Sequence, residues 1–312
     1  MRADDKPFVV AAVISDVHMR HLRPVSVITD DWYQLMEKTF AAVGQIVKQH
    51  SRKGDSIPLL CCGDLFHHWN VPPELLNFAL VHFPQCIAIP GQHDLPYHRL
   101  KDVQRSAYWT LAVANRISPL VPGVPYPLND HVTVYGFPWG SEVTPPKEPL
   151  TGFNVALIHA YIWTRGHEYI GADKSSHLKK WAKRLTGYKV ACFGDNHSGF
   201  MKTNGEQTIL NCGSLFRARS DEAHYRPSVG LIWSNGKVTR EELPLLYKMM
   251  TKEQVVKSIE ENAGGFEEFI EEVRSLSCSI FNFQDVVCEL MERRKVRIEV
   301  REAVMRTLEK KR

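Results

Sequence analysis

Read for hydrophobic and polar positions alone, the chain repeats one rhythm: a short apolar run, a polar cluster, then an amphipathic helix. FVVAAVIS (8–15) is apolar almost throughout, as a strand buried on both faces would be. Residues 31–49 place Trp32, Met36, Phe40, Val43 and Val47 at helical spacing. IPLLCCG (57–63) predicts a second strand, and PPELLNFALVHF (72–83) a helix whose proline suits a first turn. CIAIP (86–90) predicts a third strand, and 99–115 a further helix. VTVYGFPW (132–139) and NVALIHA (154–160) read as strands, with a loop between them. SSHLKKWAKRL (175–185) reads as a short amphipathic helix. Leu178, Trp181 and Leu185 share one face, and Lys179, Lys180, Lys183 and Arg184 lie away from it.

From 190 onward the strands follow one another without long helices. They are VACFGDNHSG (190–199), QTILNCGS (207–214), SVGLIWSNG (228–236) and KVTREEL (237–243), the last two forming a hairpin around Asn235-Gly236. Alternating βα units followed by a β-rich half predict a two-sheet α/β sandwich with a small helical C-terminal appendage. The texture changes near 249, so residues 1–248 are expected to form the main domain and 249–312 the appendage. There FEEFIEEVRSL sets Phe266, Phe269, Ile270, Val273 and Leu276 on one stripe, expected to pack against the domain. Charge separates in this region: residues 251–292 hold ten acids and three bases, and 293–312 hold nine bases and three acids.

The composition changes this picture little. With 44% apolar and 24% charged residues the chain is an ordinary globular protein. A net charge of +4 gives slight leave for an anionic partner. No run approaches membrane-spanning length, and MRADDKPFVVAAVIS does not pattern as a secretory leader. The seven cysteines form no CxxC pair and read as reduced and buried, which implies a cytoplasmic setting.

The chemistry lies at the strand ends. SDVH (15–18), CGDLFHHW (62–69), PGQHD (90–94), LIHA (157–160), GDNHSG (194–199) and NCGS (211–214) each follow an apolar run. Any one of these clusters alone reads as a turn, and His159 alone as a core histidine. In an α/β sheet, however, the carboxyl ends of parallel strands line one crevice. That geometry can gather Asp16, His18, Asp64, Gln92, His159, Asp195 and His197. Hard oxygen and imidazole donors without thiolate suit Mn²⁺, Mg²⁺, Fe or Zn²⁺.

The order D-x-H, GD, GxHD, a lone His after a strand, G-x-x-H and N-x-G-S resembles the calcineurin-like metallophosphoesterase superfamily over roughly residues 8–245. GDLFHHW, PGQHDLPYH and NCGSLFRARSDEAHYRPSVGLI are most similar to SbcD-type DNA repair nucleases and their short phage-encoded relatives. The resemblance implies two divalent metal ions. Asp16, His18, Asp64 and His197 would hold one; Asp64, Gln92, His159 and Asp195 would hold the other. A hydroxide between the metals would attack a phosphodiester, and His93 would protonate the leaving oxygen or stabilise its charge. His67 would contact phosphate or support the ligands, and Asp94 would orient His93 or a ligand by hydrogen bond, or only close the turn. The superfamily usually carries Asn at the position of Gln92 and His at that of Asp195. Three carboxylates among the ligands favour Mn²⁺ on this reading.

The resemblance also implies DNA as substrate, single- or double-stranded, with Arg217, Arg219, His224 and Arg226 meeting phosphates. An ATPase partner like that of the SbcD nucleases and a homodimer accompany the resemblance, as does the host cytoplasm if the protein is phage-encoded. The same chemistry would serve a phosphoesterase of nucleotides, cyclic nucleotides or phosphoproteins, and a degenerate member would be an inactive scaffold.

Overall fold

Every residue of Val9–Ile14 (β1) is buried, and its two faces enter different cores. Val10 and Val13 pack between two sheets, while Ala12 and Ile14 face a layer of helices. This double burial is why the run is apolar rather than alternating. The computed structural model describes residues 6–52, 56–146, 148–168 and 172–255.

In chain order the elements after β1 are β2 (Val27–Ile28), α1 (Trp32–His50), β3 (Leu59–Cys61), α2 (Pro73–His82) and β4 (Cys86–Ala88). Then come α3 (Ala107–Val113), β5 (Ile117–Pro119), β6 (Tyr126–Asn129), β7 (Val132–Phe137) and β8 (Phe153–His159). The remaining strands are β9 (Val190–Gly194), β10 (Phe200–Asn204), β11 (Gln207–Asn211), β12 (Ser228–Trp233), β13 (Val238–Glu242) and β14 (Lys248–Met249). One sheet runs β13-β12-β1-β3-β4-β5, the second β10-β11-β9-β8-β7-β6, and β14 pairs with β2 in a separate ribbon. This is the predicted two-sheet α/β sandwich. Strands β1, β3, β4 and β5 are parallel, as are β7, β8, β9 and β11.

The core between the sheets contains Val13, Leu60, Ile89, Leu157, Cys192 and Leu210. Helix α1 covers the outer face of the first sheet with Trp32, Met36, Phe40 and Val43 buried. Asp31 opens that helix by accepting the Gln34 N–H. Trp181, Leu185 and Tyr188 pack with Phe193 and Ile209 on the outer face of the second sheet.

Two helices expected from spacing take other forms. Residues 99–115 split at Ser106, into a 3₁₀ stretch over Leu100–Arg105 and then α3. The Ser106 hydroxyl donates to the Val103 carbonyl and accepts the Trp109 N–H, so one side chain ends the first helix and caps the second. Residues 175–185 form 3₁₀ turns rather than an α-helix. Trp163 interrupts them: its N–H bonds to Ser176 O and its carbonyl accepts from Leu178. Trp181 and Leu185 still point inward and Lys179, Lys180, Lys183 and Arg184 outward, so the facing was legible and the helix type was not.

The chain divides into two compact units, Met1–Thr251 and Lys252–Arg312. The helical stripe at 266–276, the pattern over 283–311 and the basic tail lie outside the described residues. Cys61, Cys62, Cys86, Cys192 and Cys212 are free and buried; Cys278 and Cys288 lie outside the described residues. Among the described residues no helix is long and apolar enough to cross a membrane.

Register aligns the strand ends. Ile14 sits beside Cys61, and Cys61 beside Ala88; in the second sheet His159 sits beside Gly194. Asp94 fastens two of the loops that follow. Its buried carboxylate accepts N–H groups from Leu65, Phe66 and Gly91 at 3.1, 3.0 and 3.0 Å. It therefore joins the loop after β3 to the loop after β4 and does not orient the His93 ring. Asp94→Ala strands three buried donors and should cost on the order of 3 kcal/mol. A urea midpoint that falls accordingly, with Asp94→Asn recovering part of the loss, would show the staple at work.

Candidate metal centre

The chain turns sharply in the loops that follow three strands, β1, β3 and β9. Asp16, His18, Asp64 and Asp195 have φ of 49, 48, 53 and 83°, left-handed conformations that non-glycine residues rarely adopt. Each bend swings its side chain off the strand axis, across the rim of the sandwich. Gly63 (φ 102°) makes the turn before Asp64, where a Cβ would meet the His159 ring. A Cβ at Gly91 would collide with the Asp64 carboxylate, so glycine lets the loop after β4 close over it.

The result is a closed ring of seven side chains. Asp64 lies 3.6 Å from His18 Nε2 and 3.4 Å from His159 Nε2. His18 Nε2 faces His197 Nε2 at 3.0 Å. His159 Nε2 faces Gln92 Oε1 at 2.6 Å, and Gln92 Nε2 donates to Asp195 Oδ1 at 2.6 Å. The backbone N–H of Asp195 donates to both Asp16 oxygens, at 2.9 and 3.1 Å, and Asp16 Oδ1 lies 4.0 Å from His18 Nε2, which closes the ring. Gln92 and Asp195 are thus partners of one another.

Charge in the ring is finely divided. Burial pushes Asp16 up to about 6, against the pull of His159 and His197. Burial acts on Asp64 in the same sense, but His159, His18 and His93 outweigh it and hold Asp64 below the usual carboxylate range. Burial lowers His18 well below its ordinary value. Burial also works against protonation of His159, yet Asp64 overrides it and lifts the imidazole to about 10. His159 Nδ1 donates to the Cys62 carbonyl at 2.5 Å, which fixes that proton. For Asp94, burial and then Asp64 raise the carboxyl to about 7.

These donors fit a divalent cation. Asp64 Oδ2 and His18 Nδ1 are buried without a hydrogen-bond partner. Two imidazole Nε2 atoms point at each other, as donors do around a shared ion. Asp16, His18 and His197 bring donor atoms within 4.8 Å of one another, as do Asp16, Asp64 and His159, and His18, His67 and His93.

His93 and His67 stand on the exposed side of the ring. Their rings stack at 5.3 Å and 15°, and His93 Nδ1 donates to the His67 carbonyl at 2.8 Å. Arg20 Nη2 donates to His67 Nδ1 at 2.9 Å; burial and that guanidinium press His67 down to about 4. A cleft of about 530 Å³ opens beside Asp195 and His197, lined among others by Trp139, Tyr161 and Arg219.

The expected phosphate contacts separate. Arg219 lines this cleft. Arg217 does not reach it: only 4% exposed, it donates to the carbonyls of Ala223 and Tyr247 and stacks over the Tyr247 ring. Its guanidinium braces the segment after the NCGS turn. Arg226 and His224 are exposed and are not among the residues that line the cleft.

Two residues outside the predicted ligand set hold the loops: Asn211, which opens the NCGS motif, and Glu222, which had no signal in residue spacing. Asn211 donates to the carbonyls of Asn196 and Ser198, fixing the loop that carries Asp195 and His197. Glu222 Oε1 accepts from His197 Nδ1 at 3.2 Å, while its Oε2 accepts the N–H groups of Ala218 and Arg219. Burial works against protonation of His197, and Glu222 and Asp16 reverse that effect. Glu222 lies 25 residues beyond the imidazole it holds, and only the fold brings them together.

The family model for calcineurin-like phosphoesterases matches residues 10–199. The chain belongs to the calcineurin-like phosphoesterase family. It is a metal-dependent phosphoesterase, a hydrolase of a family that binds divalent metals. Among solved structures it is similar to an archaeal phosphodiesterase, with 12% identity over 76% of this chain and 100% of that one, TM-score 0.38. A phosphopantetheinyl hydrolase from Mycobacterium tuberculosis gives 12% identity, 76% and 96% coverage and a TM-score of 0.40. A metallophosphoesterase from Sphaerobacter thermophilus gives 15%, 76%, 88% and 0.35. No curated protein gives a significant match.

In this phosphoesterase a carboxylate that fixes a ligating imidazole should matter for metal binding. Removing such a partner typically costs about 10–100-fold in metal affinity. Calorimetric titration of Glu222→Ala with Mn²⁺ should show a loss of that size, with Glu222→Gln, which keeps an acceptor, losing less.

Proposed function

We propose that this phosphoesterase is a DNA nuclease of the SbcD type, working with two divalent ions and favouring Mn²⁺. Asp16, His18, Asp64 and His197 would hold one ion, and Asp64, Gln92, His159 and Asp195 the other. Three carboxylates against two divalent ions leave a local charge of +1, which favours hard cations such as Mn²⁺. Bound there, the ions would supply Lewis acidity to the phosphoryl oxygens and hydroxide near neutral pH.

The observation that carries this reading is the His93–His67–Arg20 group on the exposed side of the ring. Its two histidines come from the GDLFHHW and PGQHD stretches that resemble the repair nucleases, and Arg20 from the loop after β1. Because His93 Nδ1–H is committed to the His67 carbonyl, a second proton on the ring must sit at Nε2. From Nε2 it can pass to the leaving oxygen of a scissile phosphodiester. Arg20 adds a cation on the same side, suited to the non-reacting phosphate oxygens.

A second reading, a nucleotide or cyclic-nucleotide phosphoesterase, is favoured by the cleft of about 530 Å³ with Trp139 and Tyr161 on its wall. That volume and lining suit a single nucleoside. End-labelled duplex, single-stranded DNA and mononucleotides, each incubated with Mn²⁺, separate the two. The nuclease reading expects shortening of labelled DNA; turnover of mononucleotides with intact DNA would overturn it. In either case His93→Ala should lower turnover of bis-p-nitrophenyl phosphate by about 10²–10⁴-fold. Mn²⁺ uptake should stay at the wild-type level, because His93 is not among the seven proposed ligands.

A further inference from the structure

A second cavity of about 630 Å³ lies on the outer side of the second sheet. Leu178, Ala182 and Ile209 contribute apolar lining, and Arg165, Lys179 and Lys202 bring three exposed cations. Its lining among the described residues contains no carboxylate. Nearby acids are otherwise engaged: Glu206 pairs with Lys189 at 2.8 Å, and Glu168 accepts the N–H groups of Gly166 and His167.

Two stretches of chain run from the metal centre into this cavity. The loop carrying Asp195 and His197 continues through Gly199 into β10, which bears Lys202 and Asn204. The other stretch leaves His159 at the end of β8 and reaches Thr164 and Arg165; its next residues, Gly166 and His167, line the cleft beside Asp195. Asn196 ties the second stretch to the first by donating to the carbonyls of Ile162 and His167 at 2.8 Å each. On the far side Trp163 bonds to Ser176 and Leu178. The wall between cleft and cavity is therefore fixed at both edges, and Lys202 also acts on His167 through its charge.

We propose that this cavity is a binding site for single-stranded polynucleotide, taking the strand that extends from the metal centre onto Arg165, Lys179 and Lys202. The inference rests on the nuclease reading and deepens it. Three exposed cations on one cavity complement the charge of a phosphate backbone, and the apolar lining offers a surface for sugar and base faces. A flexible single strand can bend into a cavity of this size, whereas a rigid duplex does not enter it.

The experiment uses fluorescein-labelled oligothymidylates of two, five and fifteen nucleotides, with the full chain. Affinity is read by anisotropy over a salt series with Ca²⁺ in place of Mn²⁺, and kcat/KM is read with Mn²⁺. Wild type should favour the fifteen-mer over the dinucleotide by roughly tenfold or more. In Lys179→Ala/Lys202→Ala that ratio should fall toward one, and the log–log salt slope should flatten by about 0.7 per lysine removed. Lys179→Arg/Lys202→Arg should restore both, which excludes misfolding as the cause. Lys48→Ala, on the helical side of the other sheet, should change neither. A double alanine variant with wild-type slope and length preference overturns the cavity while leaving a DNA-degrading wild type intact. A wild type that turns over DNA no better at fifteen nucleotides than at two also overturns the cavity. A wild type that turns over mononucleotides but no DNA overturns the nuclease reading itself. Binding of a phosphopeptide in preference to every oligonucleotide overturns the proposal, and a matched oligouridylate series distinguishes RNA from DNA.

Discussion

One buried oxygen sets the terms for this structure. Asp64 Oδ2 is sealed from solvent, accepts no hydrogen bond, and faces His18 and His159 within 3.6 Å. A buried carboxylate oxygen left this way is costly unless positive charge stands opposite it. The imidazole of His159 supplies some, held protonated by that same carboxylate. The surrounding geometry brings further donors to the same point rather than hydrogen-bonding groups to quench it.

The rest of the sandwich supports that arrangement. Register brings the parallel strands to a common rim, and the left-handed bends at Asp16, His18, Asp64 and Asp195 turn side chains across it. Such bends cost about 1–3 kcal/mol each and persist only where packing over-determines them. The three apolar layers provide that packing, with β1 and β9 buried on both faces immediately before the bends. The Asp94 staple and the Asn211 amide secure the loops from outside the ring. Gln92 and Asp195 act as a pair. A longer carboxamide meets a shorter carboxylate at 2.6 Å, so the reach added on one side is taken up on the other.

The fold was legible wherever burial wrote it into the sequence. β1, β8 and β9 are continuous apolar runs, and α1 carries its buried stripe at helical spacing. The edge strands of the second sheet left little trace. Phe200–Asn204 is exposed beyond its first residue, and Tyr126–Asn129 contains proline, so neither shows the pattern of a half-buried strand. Helix type failed where local side-chain bonds or tertiary pairing overrode periodicity, at Ser106 and at Trp163. Ligand candidates were readable because each follows directly on an apolar run. Glu222 was not, since its role depends on a fold-level contact with His197, and Arg217 misled because a cation after a motif can as well brace backbone carbonyls as meet phosphate.

The most direct test of the central claim is crystallographic. Crystals grown with Mn²⁺ and measured near the manganese absorption edge should give two anomalous peaks about 3.5–4 Å apart, with the Asp64 carboxylate between them. Peaks elsewhere on the molecule, or none within reach of Asp64, would contradict the account.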